Sequence, residues 1–350
     1  MPVLETYLFQ AHKSIYCDES EVNYHARQIR TEMVYPDIVN EKTGMLVLIP
    51  GYGGNIDSHV FKKMREVLAE EYNMITLQCD YFGNKYMGSD MPDNWENVNQ
   101  LTNIIKADIY CKADIHETEE EFNDMGIMQA LDIISSTLWG IDAIVKKGLV
   151  FNAKRILMFG CSHGSYLAHL ANILCPTLYS GMIDVSAYIY PYYLMNNRQL
   201  VLNIEKINWI LVYEYMVMKE NRYQYNKKLY YLPFLYRHMH NHCKIIALHG
   251  TEDWMVDPSE KQQFISELDN AQLLMIHPED VDGVLCKNAD HGLGLDFFEL
   301  FKIVIPSMDA ILGEPELNIT IPKEVSVGDE TAFIKISYEN GLPELKEITW

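Results

Sequence analysis

The chain is predicted to fold as an α/β protein built on a doubly wound, mostly parallel sheet. Three observations point there. Short apolar runs alternate with stretches of helical spacing over most of the 350 residues, the order that builds βαβ units around a sheet covered on both faces. The pentapeptide Gly160-Cys161-Ser162-His163-Gly164 stands where the run Arg155-Ile156-Leu157-Met158-Phe159 gives way to a helical pattern, the setting of a tight strand-to-helix turn. Composition is the third: 48% of the residues are apolar and only 13 are proline, enough to bury a large core and against disorder.

The elements follow in order. Residues 1–42 hold short alternating pieces, Thr6-Tyr7-Leu8-Phe9 and Glu21-Val22-Asn23-Tyr24, expected as edge strands ahead of the main sheet. A nearly all-apolar strand at 44–49 ends at Pro50 and the turn Gly51-Tyr52-Gly53-Gly54; residues 60–72 read as a helix and 73–79 as the next buried strand. A helix over 125–149 presents Met128, Leu131, Ile134, Leu138 and Ile141 at helical spacing and leads into the strand before Ser162. Further strands are expected at 182–190, 244–248 and 272–276, and a helix at 297–312 closes the core.

Residues 191–242 interrupt this rhythm. Eleven of the 23 tyrosines fall between Tyr188 and Tyr236, and the segment is expected to be a helical insertion capping the face where the strands end. Most of these rings are expected to form the insertion's own core; those facing a ligand would offer a flat apolar surface and a hydroxyl, which suits a sugar. His238, His240 and His242 alternate, but alternate positions share a face only in a strand, and no carboxylate spacing completes a metal site. From 314 onward, Leu317-Asn318-Ile319-Thr320-Ile321 and the run at 332–338, with turns at Gly328-Asp329 and Asn340-Gly341, are antiparallel β signals. The expected division is a core over 1–312, with its cap insertion at about 191–242, and a β extension over 313–350 that packs on the core or forms a homo-oligomer contact.

The 28 basic and 49 acidic residues leave a formal charge of -21, spread along the chain. This disfavours a nucleic-acid backbone or an anionic membrane surface as partner, since each selects a basic patch. Seven scattered cysteines without a C-x-x-C pair point to free thiols in a reducing compartment and to no zinc site. The first 35 residues hold no basic stretch followed by an apolar core, and no run approaches 18 apolar residues, so the cytoplasm is the expected location.

Three signatures in the order serine, acid, histidine resemble those of the α/β-hydrolases, and the resemblance runs from about residue 44 to about residue 312. The first is Gly160-Cys161-Ser162-His163-Gly164. The second is His249-Gly250-Thr251-Glu252-Asp253-Trp254-Met255-Val256-Asp257-Pro258, similar to the stretch that places the acid after a late strand; the third is Asp290-His291-Gly292, similar to the loop that carries the histidine. Serine is a poor nucleophile at neutral pH and needs a base oriented by a third group. The resemblance casts Ser162 as nucleophile, His291 as base and Asp253 as the acid, with Glu252 and Asp257 close enough in sequence to compete. It also implies two N–H donors for the oxyanion: the amide of His163, and one from the loop after the early strand, where Tyr52 matches best and Gly53 is the alternative. Pro50 departs from the family pattern, which has histidine there.

No lysine and serine or threonine follow the glycines at 51–54, as a phosphate-cradling loop requires, and no G-x-G-x-x-G opens the fold. No metal or organic cofactor is expected. The implied function is a serine hydrolase acting on a carboxylic ester, an acylated sugar among the candidate substrates. An acyltransferase or small peptidase would use the same triad, and a non-catalytic binding protein of this fold is the alternative of a different class. The Met- and Tyr-rich core with its extra C-terminal segment is also similar to a family of Campylobacter and its relatives associated with flagellar or surface glycosylation loci, which implies a modified sugar as substrate.

Overall fold

The computed structural model describes residues 2–12, 14–16, 27–87, 98–99, 104–105, 108–118, 120–204, 207–221, 226–339 and 341–349. The expected strand at Glu21 to Tyr24 lies outside them. In chain order the first elements are β1 (Val3–Gln10), β2 (Gln28–Tyr35), β3 (Gly44–Ile49), α1 (His59–Glu71) and β4 (Met74–Cys79). There follow β5 (Val98–Asn99), β6 (Ile104–Ile105), β7 (Asp108–Ile115), α2 (Ile127–Lys146), β8 (Ile156–Cys161), α3 (His163–Leu174) and β9 (Gly181–Val185). The next stretch holds α4 (Tyr192–Met195), β10 (Arg198–Ile204), β11 (Ile207–Tyr215), α5 (Met216–Asn221) and α6 (Leu232–Arg237). The chain ends with β12 (Lys244–Gly250), α7 (Pro258–Ser266), β13 (Ala271–Ile276), α8 (Phe297–Leu312), β14 (Glu324–Asp329), β15 (Ala332–Ser337) and β16 (Glu344–Thr349).

The main sheet has the order β1-β2-β4-β3-β8-β9-β12-β13. Its first two strands pair antiparallel, with β2 antiparallel to β4, and the remaining pairs are parallel. β3, β4 and β9 are buried at every position because both faces of the sheet are covered, and their side chains divide with period two. Met45, Val47 and Ile49 of β3 join the cluster formed with α2 and α3, whereas Leu46 and Leu48 join the one formed with α1 and α8. Helices on both faces bring the carboxyl ends of β3, β8, β9 and β12 to one edge, where ligands of doubly wound sheets bind.

Above that edge stands a second sheet, ordered β10-β11-β7-β5, with β6 also paired to β7. It corrects the expectation of a helical insertion at 191–242. That segment contributes a β10–β11 hairpin, and β11 pairs in parallel with β7, which comes from a separate insertion between β4 and α2. The pairing partner is about a hundred positions away in sequence, so local periodicity alone did not announce it. The cue in β7 was strict alternation: Ile109, Cys111, Ala113 and Ile115 fall on one face, between Tyr110, Lys112 and Asp114 on the other.

The C-terminal strands form their own antiparallel sheet, β14-β15-β16. Val325, Val327, Ile334, Ile336 and Tyr338 are buried in the same cluster as α2 and α3. Tyr338 donates to the Leu174 carbonyl at 2.6 Å and Asn226 donates to the Thr331 carbonyl at 2.6 Å, so this sheet seats on the end of α3 and on the cap. Its apolar face is occupied within the chain. Among the described residues no helix is long and apolar enough to cross a membrane.

Candidate active site

Ser162 sits between the end of β8 and the first turn of α3 with φ 56° and ψ -120°, a strained backbone for a residue with a side chain. The surroundings over-determine it. Its amide donates to the Val185 carbonyl at 2.7 Å, and its carbonyl accepts from the Tyr166 amide at 3.1 Å. A β-carbon built on Gly164 would stand 2.1 Å from the Ile49 carbonyl oxygen, and one on Gly160 would stand 2.4 Å from the Ser165 nitrogen. Only glycine lets the helix close on the strands here, and that closure lifts Ser162 Oγ to the strand edge.

His291 lies in the loop after β13, and its Nε2 is 2.7 Å from Ser162 Oγ. Its Nδ1 is 2.8 Å from Asp253 Oδ2. Asp253 follows β12 and is buried; its Oδ1 accepts from the amides of Met255 and Val256 at 2.8 and 3.1 Å. Burial pushes the Asp253 carboxyl up, but the hydrogen bond and charge of His291, with His249 and the Met255 amide, outweigh it and hold the group below the usual aspartate value. An ionised Asp253 requires the neutral imidazole to carry its proton on Nδ1, which leaves Nε2 to accept from Ser162. The two competing carboxylates are elsewhere. Asp257 caps α7, accepting from the Ser259 and Glu260 amides at 2.7 and 3.3 Å, and Glu252 is exposed.

The loop after β3 lies against the serine: a β-carbon on Gly51 would be 3.6 Å from Ser162 Cβ. A turn closed by the Gly54 amide on the Gly51 carbonyl at 2.9 Å puts Tyr52 and Gly53 at its corner. Among the described residues, the amides of Tyr52, Gly53 and His163 have no hydrogen-bond acceptor. The Tyr52 ring reaches into the cap. Its hydroxyl donates to that of Tyr215 on β11 and accepts from Asn123 Nδ2 at 2.8 Å, while the Arg198 guanidinium lies 4.8 Å from its ring centre.

The His163 side chain is buried, and burial pushes its pKa down to about 3. Gln129 Nε2 donates to the Phe82 carbonyl at 3.1 Å and to Asn123 Oδ1 at 2.9 Å. This turns Gln129 Oε1 toward His163 Nε2, 2.7 Å away, and makes that nitrogen the protonated one. The imidazole thus secures the first turn of α3 through Gln129.

Beneath the site, a polar group with no exposure holds the end of β9. Lys261 Nζ is 2.6 Å and His169 Nε2 is 3.0 Å from Asp184 Oδ2. Burial opposes the charge on Asp184, but Lys261 and then His169 outweigh it and hold the carboxyl well below its ordinary value. Asp184 Oδ1 accepts from the Ala187 amide at 2.9 Å, and Ser186 Oγ accepts from the Gly292 amide at 3.1 Å. One turn therefore ties β9 to the loop of His291. Tyr188 comes next, its hydroxyl 3.1 Å from Ser162 Oγ. Sequence reasoning missed Tyr188, Asn123 and Gln129 as neighbours of the site. The cue for Tyr188 was its place just beyond the strand that follows the serine strand.

The tyrosine cluster is divided. Tyr213, Tyr215, Tyr230 and Tyr236 are buried core, while Tyr192 and Tyr193 line a groove of about 530 Å³ with Asn196, Asn197, Gln199 and Trp254. Among the described residues no group of three or more histidine, cysteine or acidic side chains is placed to hold a metal ion; His238, His240 and His242 follow α6 outside helix and strand.

The fold is that of the α/β-hydrolases. The acylaminoacyl peptidase of Pyrococcus horikoshii matches 85% of this chain over 41% of its own, with a TM-score of 0.50 at 12% identity. Est1E from Butyrivibrio proteoclasticus matches 80% of this chain and 93% of its own at 15% identity and a TM-score of 0.44. Esterase 2 of Thermogutta terrifontis matches 87% and 97% at 12% identity and a TM-score of 0.47. By sequence the chain belongs to the family DUF2920, described as a protein of unknown function, whose model matches residues 91–327. Among curated proteins none matches the chain.

Proposed function

We propose that the protein is a serine hydrolase that cleaves a carboxylic ester through an acyl-enzyme intermediate, with Ser162 as nucleophile, His291 as base and Asp253 as the acid. The observation that carries this is the chain of two hydrogen bonds, 2.7 Å from His291 to Ser162 and 2.8 Å from His291 to Asp253, beside amides without acceptors. His291 Nε2 takes the Ser162 proton as Oγ bonds to the acyl carbon, and the carbonyl electron pair moves onto the oxygen. The amides of His163 and Tyr52, with Gly53 as the alternative to Tyr52, receive that oxyanion. Collapse breaks the bond to the leaving alcohol, which takes the proton from His291. Water, deprotonated by the same nitrogen, then releases the acid.

The groove supports an uncharged, hydroxyl-bearing leaving group such as a sugar. Tyr192 and Tyr193 lie 6.3 and 6.5 Å from the Tyr188 ring, Trp254 follows Asp253 and is 68% exposed, and among the described residues no charged side chain lines the groove. Aromatic faces cover the apolar side of a pyranose, and Asn196, Asn197 and Gln199 supply donors and acceptors for hydroxyls. The six described cysteines form no disulfide, which fits a reducing compartment such as the cytoplasm. The test compares wild type with Ser162→Ala for p-nitrophenyl acetate turnover, fluorophosphonate labelling and mass-resolved deacylation of acetylated sugars. Turnover and labelling should vanish in the variant; activity at the wild-type level would overturn the proposal. Products carrying the acyl group on an added alcohol would redirect it to acyl transfer.

A further inference from the structure

The two segments that carry the oxyanion amides are tied together through one side chain. Asn123 lies in the loop between β7 and α2 and has no exposure. Its Nδ2 donates to the Tyr52 hydroxyl at 2.8 Å, and its Oδ1 accepts from Gln129 Nε2 at 2.9 Å. Gln129 in turn holds the His163 ring through Oε1 at 2.7 Å. Backbone groups fix the direction of both carboxamides. The Met125 amide donates to Asn123 Oδ1 at 3.3 Å, and the Phe82 carbonyl accepts from Gln129 Nε2 at 3.1 Å. Turning over Asn123 would set donor against donor, and turning over Gln129 would set acceptor against acceptor.

Both arms end where an anchor is needed. The turn Gly51-Tyr52-Gly53-Gly54 is conformationally permissive, and Tyr52 is the only side chain between Pro50 and Asn55 by which it can be held. The Tyr52 hydroxyl, besides accepting from Asn123, donates to that of Tyr215 on β11. Among the described residues His163 Nδ1 has no hydrogen-bond partner, which leaves Gln129 as the polar anchor of that ring. The Tyr52 and His163 rings also meet edge to face, with centroids 5.8 Å apart. Asn123 itself is pinned: its amide donates to Glu117 Oε1 at 2.6 Å, and the Met218 amide of α5 donates to Glu117 Oε2 at 3.1 Å.

We propose that Asn123 is a positioning residue for the hydrolytic site, a buried carboxamide that keeps the Tyr52 turn and the first turn of α3 in fixed relation so that their amides meet one oxyanion. The assignment rests on the reading of Ser162 as nucleophile and of these amides as its oxyanion donors. It holds for Gly53 as for Tyr52, since both amides sit on the turn that the Tyr52 ring anchors. Two donors on separate segments stabilise developing charge best when neither has to move as the charge forms. Asn123 touches neither substrate nor reacting atoms. It acts through Tyr52 on one side and through Gln129 and His163 on the other.

The test is Asn123→Ala, assayed with p-nitrophenyl acetate and with a phenyl trifluoromethyl ketone. Ser162 Oγ adds to the ketone carbon, its proton passes to His291, and the ketone oxygen becomes the oxyanion before the two amides. Displacing donors costs less than deleting one, so kcat should fall about 10- to 100-fold with KM within about twofold. The ketone's inhibition constant should rise by a similar factor. A variant that only folds less well loses active enzyme and lowers kcat at an unchanged inhibition constant, a result that overturns the assignment, as does wild-type kcat or a raised KM at unchanged kcat. Adding Tyr52→Phe to Asn123→Ala should lower kcat by no more than about a further twofold, because the bond it removes is already lost; effects that multiply refute the route through Tyr52 and the assignment with it. Should Asn123→Ala not fold, Tyr52→Phe and Gln129→Leu each cut one arm: lowered kcat with weaker ketone binding in both supports the proposal, and wild-type values in either overturn it. A wild type that neither labels with fluorophosphonate nor turns over any ester removes the reading of Ser162 and this assignment with it; a reactive wild type matched by Asn123→Ala removes this assignment alone.

Discussion

Asp253→Asn should cost about four orders of magnitude in kcat, and the reason lies in which way the new amide is forced to face. Asp253 Oδ1 accepts from two backbone amides, Met255 at 2.8 Å and Val256 at 3.1 Å. An asparagine must keep its carbonyl oxygen there, because placing its NH2 group against two N–H donors would leave all of them unsatisfied in a buried site. Its NH2 then faces His291 Nδ1, now 2.8 Å from Oδ2. A donor at that point selects the imidazole tautomer protonated on Nε2, which cannot take the Ser162 proton. The triad template gives about 10⁴ in kcat for this tautomer error, equivalent to about 5.5 kcal/mol of barrier. The assay is kcat and KM for p-nitrophenyl acetate at neutral pH, with fluorophosphonate labelling as a second measure and a thermal melt to show that the variant is folded. A folded Asp253→Asn within tenfold of wild type would refute both the orientation argument and the role of Asp253.

Two further outcomes follow from buried charge. Lys261→Met should destabilise the fold by about 3–5 kcal/mol, because it strips Asp184 of its ammonium partner 2.6 Å away while both side chains have no exposure; a melt or urea titration showing less than about 1 kcal/mol would contradict this. Glu117 is buried, and burial pushes its carboxyl up to about 7 despite amide hydrogen bonds from Asn123, Met218 and Val217 that favour the charge. With an unfolded value near 4.5, the folded state holds a proton that the unfolded chain has released between these limits. Stability is therefore undiminished below about pH 4.5 and falls as pH rises toward 7, by about 3 kcal/mol at most. In Glu117→Gln that fall should disappear from the stability profile, and an unaltered slope between pH 4.5 and 7 would refute it.

Much of the framework was legible because it follows from local rules. β3 read as a strand from its nearly all-apolar run, β4 as the next buried strand after the intervening helix, and α2 and α8 as helices from apolar positions at helical spacing. Gly160 and Gly164 marked the turn at Ser162, since no residue with a β-carbon fits where Ile49 and Ser165 approach. The cap was misread as helical because its sheet joins β11 to β7, and neither strand carries information about a partner so distant in sequence. The choice among Glu252, Asp253 and Asp257 was equally out of reach. Three carboxylates within six positions look alike in sequence, and what separates them is burial beside His291 in one case, exposure in another and a helix cap in the third.

The sequence alone determined the class of sheet, the turn at Ser162 and the order in which the candidate serine, acid and histidine occur, because each depends on steric and periodic rules acting over a few residues. Tertiary structure decided which side chains meet. It set His291 between Ser162 and Asp253, brought Tyr188 to the same oxygen, ran Tyr52 into a cap assembled from two insertions, and divided the tyrosines between core and groove. Those outcomes depend on distances between segments far apart in the chain, which loop paths and packing fix and which no local pattern encodes.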